Sequence, residues 1–131
     1  HDVGHLVDLE DSAGREEHEV DTAHEATAAR MLASLFPPAV TAPIALHVDG
    51  KRWLCAREDG YFESLSPASV ASLALQGGPM SDAEADRFMA MPQFEEAISL
   101  RRWDDIGKDT SKDQLPLDEF RRILHSHFEQ L

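Results

Sequence analysis

The sequence predicts an all-α fold, on three observations. Apolar residues recur at helical spacing along almost the whole chain, and the period-two alternation of half-buried strands is absent. The breaks between apolar stretches carry the residues of helix ends: Pro37-Pro38 and Gly77-Gly78 as stops, Ser66-Pro67 as a capped start, and Ser81-Asp82-Ala83-Glu84 as a capping box.

Six helical stretches are expected, or seven if the opening fragment is counted whole. The first runs through His1-Asp2-Val3-Gly4-His5 and gives way to an acidic, exposed loop from Asp8 to Glu17. The second, from about Asp21 to Phe36, is rich in alanine and ends at Pro37-Pro38, which cannot continue a helix. A third is placed from Pro43, a residue suited to a first helical turn, and carries Ile44, Leu46, His47 and Lys51. The fourth starts at Ser66 and stops at Gly77-Gly78, and the fifth opens on the capping box. The last two span about Gln93 to Ile106 and Leu117 to Gln130, with a break at Gly107 to Ser111.

The 131 residues, 42% of them hydrophobic, suffice for one domain with one core, and no apolar run approaches the length of a membrane helix. The formal net charge is −13, from 25 acidic and 12 basic residues. Such a surface repels nucleic acid and anionic membrane, which excludes both as partners. A small anionic ligand would then require the few cations to gather at one place. The single cysteine, Cys55, cannot form an internal disulfide, and no signal-peptide pattern is present, so the expected location is cytoplasmic. Nothing in the pattern sets the oligomeric state. The chain opens at His1 rather than methionine, and the native protein is expected to extend upstream.

His1-Asp2 places an imidazole beside a carboxylate. A carboxylate can bridge two metal ions whereas an imidazole binds one, so the pair suits a dinuclear site, and His5 lies one turn from His1. The dipeptide alone is weak evidence. His24 puts a metal-capable side chain on the alanine-rich helix, although a half-buried structural histidine reads the same way, and His18 competes for the same role. Lys51 follows His47 by one turn, which pairs a metal ligand with an anion contact; an exposed lysine is the alternative. Arg101, Asp104 and Lys108 fall at i, i+3 and i+7, a carboxylate between two cations. That stripe suits a metal ligand with an anionic substrate alongside, or equally a solvated run of salt bridges.

The order of these segments carries a resemblance. His1-Asp2, then His24 with its Ala28-Ala29-Arg30-Met31-Leu32, then LHVDGKRWLCA (46–56), SLALQGGPM (72–80) and LRRWDD (100–105) resemble the HD-domain oxygenases found with phosphonate degradation. Described members oxidise 2-amino-1-hydroxyethylphosphonate to glycine and phosphate, or its trimethylammonium analogue to glycine betaine; they are distant relatives of myo-inositol oxygenase. The resemblance implies an HD-domain helical bundle around two iron ions, an Fe(II)/Fe(III) pair, with O2 as co-substrate and a small phosphonate as substrate. His1, Asp2, His24, His47 and Asp104 match metal-ligand positions, Asp2 as the bridge. His5, Lys51, Ser69, Ser72 and Arg101 match substrate-holding positions, with His5 and Lys51 nearest the chemistry, and Lys108 matches a partner of Asp104. The family's sixth ligand is a histidine upstream of the HD pair, so residues 1–131 are read as a single HD domain without its N-terminal part. A metal-dependent phosphohydrolase on the same ligand set, and an inactive helical binding module, are the rival readings.

Overall fold

The computed structural model describes residues 1–6, 24–109, 111 and 115–128, and these are helical with no strand among them. The elements are α1 (residues 3–6), α2 (His24–Leu32), α3 (Pro38–Arg57), α4 (Tyr61–Ser64), α5 (Pro67–Leu75), α6 (Asp82–Met89), α7 (Phe94–Gly107) and α8 (Leu117–Phe128). None of these helices is long and apolar enough to cross a membrane. The acidic loop expected at Asp8 to Glu17, and His18 with it, lie outside the described residues.

Capping chemistry sets the helix starts. Ser66 Oγ accepts the backbone N–H of Ser69, and the Ser81–Glu84 capping box closes in both directions. Two boundaries differ from expectation. Helix α2 ends at Leu32 rather than Phe36: Pro37 disfavours a helical Phe36, and the chain leaves through a turn in which Leu35 and Phe36 donate to the Leu32 carbonyl. Helix α3 starts at Pro38, five residues before Pro43, because extended Pro37 caps it and Pro38 takes the first helical position. Pro43 therefore sits inside the helix, where its missing N–H removes one bond close to the start.

Helix α3 is the axis of the fold, with α7 and α2 packed along it and α6 and α4 beside it. Small residues allow the close approaches. A Cβ on Gly50 would stand 3.1 Å from the Ala97 carbonyl oxygen of α7, and one on Gly4 would collide with the His24 carbonyl of α2. At one end of α3 the core gathers Leu54, Tyr61, Met80, Ala85, Phe88, Ala97 and Ile98. Trp53 and Phe88 both meet Phe94 edge to face, at 4.9 and 5.4 Å between ring centroids.

The buried face of α3 is unusual in composition. Ile44, His47, Lys51 and Leu54 follow one another at helical spacing and are exposed by 7, 4, 4 and 0% respectively. One helix face thus passes from apolar to imidazole to ammonium and back to apolar. Residues 76–80 of the SLALQGGPM stretch make a structural joint. Gly77 and Gly78 take φ of 94° and 74°, which an L side chain rarely adopts, and the turn is pinned where Arg52 Nε donates to the Gly78 carbonyl at 2.9 Å.

Candidate metal centre

The imidazoles and carboxylates singled out in the sequence converge where the start of the chain, α2, α3 and α7 meet. Two groups of three donors form around one shared residue: His1, Asp2 and His47 in one, and Asp2, His5 and His24 in the other, each with its ligand atoms within 4.8 Å of one another. Asp2 Oδ1 lies 3.0 Å from His1 Nε2 and 3.9 Å from His24 Nε2. Asp104 joins from α7, its Oδ1 at 3.3 Å from His1 Nε2. His1 and His5, one turn apart in sequence, go to different groups: the His1 ring meets that of His47 at 4.8 Å, and the His5 ring stacks on that of His24 at 3.8 Å.

The donor set fits divalent metal. His47 Nδ1 donates to the Ile44 carbonyl at 2.8 Å, which fixes the tautomer and leaves Nε2 with its lone pair available. Burial lowers the His47 pKa to about 4, so the ring is neutral, as a ligand must be. His1 Nε2 is buried, close to two carboxylate oxygens but off the line of a well-formed hydrogen bond to either. Contact with Asp104, and next with Asp2, pushes its pKa up to about 9. Positive charge is favoured at that point, as a proton on the ring or as a metal ion. Burial opposes ionisation of Asp104, yet contacts with His1 and Lys108 outweigh it and hold the carboxyl well below its usual range.

The expected substrate residues outside the donor groups separate into three settings. Lys51 is buried, its Nζ donates to Ser72 Oγ at 2.9 Å, and no carboxylate among the described residues forms an ion pair with it. Burial, then the charges of Arg101 and Lys108, lower its pKa to about 8. Ser72 Oγ passes its own proton to the Ser69 carbonyl at 3.1 Å, whereas Ser69 Oγ accepts from Ser66 Oγ at 3.0 Å. Ser69 faces a cavity of about 360 Å³ lined also by Tyr61, Ser66, Arg102, Asp105 and Lys108. The two hydroxyls, expected to face one oxyanion, thus have different partners.

Arg101 is 4% exposed, so the stripe it forms with Asp104 and Lys108 is buried at the Arg101 end and solvated only at Lys108. Its guanidinium reaches Asp104 Oδ2 at 2.7 Å and Asp105 Oδ1, and its Nε donates to the Tyr61 hydroxyl at 2.8 Å. Lys108 Nζ meets the same Asp104 oxygen at 2.7 Å. Arg102, the neighbour in sequence, turns away to Glu58 at 2.5 Å. Sequence reasoning missed Tyr61 and Asp105. Asp105 was visible as a carboxylate four residues after Arg101; Tyr61, forty positions away, left no signal.

Two comparisons bear on this centre. No family model matches the chain. Among curated proteins it is similar to a hydroxymethylphosphonate dioxygenase of Gimesia maris, 42% identical over 98% of the chain. It is also similar to a [1-hydroxy-2-(trimethylamino)ethyl]phosphonate dioxygenase (glycine-betaine-forming) of Leisingera caerulea, 39% identical over 82% of the chain. The chain spans 64% of the first relative's length and 55% of the second's.

Proposed function

We propose that this chain, homologous along nearly all of its length to proteins named as dioxygenases of hydroxyphosphonates, forms most of the metal core of an iron- and O2-dependent oxygenase that cleaves the carbon–phosphorus bond of a small 1-hydroxyphosphonate. The observation that carries the proposal is the position of Asp2. Its Oδ1 lies within reach of an imidazole from each donor group, so the one carboxylate is placed to serve two metal ions. His1, Asp2, His24, His47 and Asp104 would hold two iron ions, an Fe(II)/Fe(III) pair that supplies the activation of O2 when bound.

The chain's own side chains supply charge and orientation. The buried ammonium of Lys51 has a hydroxyl for a partner and, among the described residues, no carboxylate in ion-pair contact, so a phosphonate oxygen beside it would complete the charge balance. Ser72 orients that ammonium, Ser69 adds a hydroxyl from the same helix, and Arg101 adds guanidinium charge at the Asp104 side. His5, stacked on His24, stands at the exposed edge of the centre, where it meets the reacting end of the substrate. In 2-amino-1-hydroxyethylphosphonate the C–P bond breaks, the carbon is oxidised to the carboxylate level, and one O2 is consumed for each glycine and phosphate released. The trimethylammonium analogue would give glycine betaine in the same stoichiometry.

The test is made on the full-length protein with a 1-hydroxyphosphonate. Oxygen uptake equals phosphate release, and turnover stops when oxygen is removed. Phosphate release at full rate without oxygen, or from phosphate esters, would establish a hydrolase on the same ligands instead.

A further inference from the structure

We propose that Tyr61 is a positioning residue for Asp104, acting through Arg101, and that with Asp105 it sets which Asp104 oxygen faces the metal centre; the inference rests on the metal-centre reading above. Three polar groups close a ring beside the core. The Tyr61 hydroxyl accepts from Arg101 Nε at 2.8 Å and donates to Asp105 Oδ2 at 2.5 Å, while Asp105 Oδ1 accepts from the guanidinium. Tyr61 is buried in the apolar cluster with Leu54 and Phe88, so the phenol is a fixed post rather than a mobile contact. Held at Nε and at one terminal nitrogen, Arg101 has its other terminal nitrogen directed to Asp104 Oδ2 at 2.7 Å.

The consequence falls on Asp104. Its Oδ2 takes both cations, Arg101 and Lys108, each at 2.7 Å, and its Oδ1 is left toward His1 Nε2 at 3.3 Å. The carboxylate is divided: one oxygen is neutralised from outside, and the other is presented to the centre as a single ligand atom. Lys108 alone does not impose this division, because its side chain is half exposed and its Nζ also lies 3.8 Å from Asp105 Oδ1. Arg101, buried and held at three points, does.

The experiment is an anaerobic titration of the full-length protein with Fe(II) alone, without substrate. Tyr61→Phe keeps the ring in the core and removes one oxygen; it is expected to weaken Fe(II) binding about tenfold or more, the usual loss when a group behind a ligand is removed. Asp105→Ala is expected to do the same. The double variant loses no more than the larger single one, since both act through one guanidinium. Arg102→Ala removes the neighbouring guanidinium, which pairs with Glu58 outside this ring, and keeps wild-type affinity. Should Tyr61→Phe not fold, Asp105→Ala carries the test, because Asp105 is partly exposed. Wild-type Fe(II) affinity in Tyr61→Phe or Asp105→Ala, or losses that multiply in the double variant, would overturn the inference while leaving the metal centre standing. Failure of the wild type to take up Fe(II) would sink both.

Discussion

Lys51→Met separates stability from binding in opposite directions. Wild-type Lys51 is 4% exposed, and its ammonium donates to one serine hydroxyl and has its pKa lowered from 10.5 to about 8. At about 1.4 kcal/mol per pKa unit, holding the charged form in the ligand-free protein costs ~3 kcal/mol. Methionine fills nearly the same volume without charge, and the lost hydrogen bond to Ser72 takes back about 1 kcal/mol. A net gain of ~2 kcal/mol at pH 7 remains, which raises the melting temperature of a domain this size by roughly 6–8 °C. The folded pKa lies below the unfolded one, so the penalty is complete below pH 8 and fades as pH climbs to 10.5. Thermal melts of wild type and variant, ligand-free at pH 7 and again above pH 10.5, measure this: the gap opens at the first and closes at the second. Calorimetric titration with the phosphonate measures the other side. There the variant binds roughly ten- to a hundredfold more weakly, the worth of one charge-assisted hydrogen bond. A variant that melts below wild type at pH 7 would refute the reasoning, because the buried ammonium would then carry no uncompensated charge.

Asp2→Ala in full-length protein purified without oxygen should drop iron from about two per chain to near none, since both donor groups contain Asp2; metal analysis that still finds one iron per chain would show that Asp2 serves a single site. Gly4→Ala drives a Cβ into the His24 carbonyl and should destabilise by ~1–3 kcal/mol while separating Asp2 and His5 from His24. A melting curve and iron content both unchanged would mean that α1 does not need its close approach to α2.

The difference between what was legible in the sequence and what was not follows the range of the interactions. Ser66, Ser81 and Glu84 act on backbone within one turn, so their caps could be read directly. Pro37 shows the limit of such signals: it marks a helix end, but whether α3 starts at Pro38 or Pro43 depends on which residue caps it. The candidate donors were singled out because metal ligands need particular atoms, and the side chains of His1, Asp2, His24, His47 and Asp104 lie close together in the structure. Resemblance of short segments to a known family marked them as a ligand set with Asp2 as the bridge, which spacing alone left open.

By itself, then, the chain's order of residues marked the longer helices and the donor types within an acidic protein. Tertiary structure alone decided how those groups divide. It sent His1 and His5 to different donor groups, though they are one helical turn apart, because the partners that receive them stand on different helices. It gave Ser72 to Lys51 and Ser69 to Ser66. It turned Arg101 inward against Tyr61 and Arg102 outward to Glu58, although the two are neighbours of identical chemistry. Adjacent side chains on a helix point about 100° apart, and which direction is the interior depends on where α3 and α4 lie against α7. That placement comes from Gly50 and Ala97 allowing close contact and from the apolar cluster around Leu54, interactions between segments dozens of residues apart that no local pattern encodes.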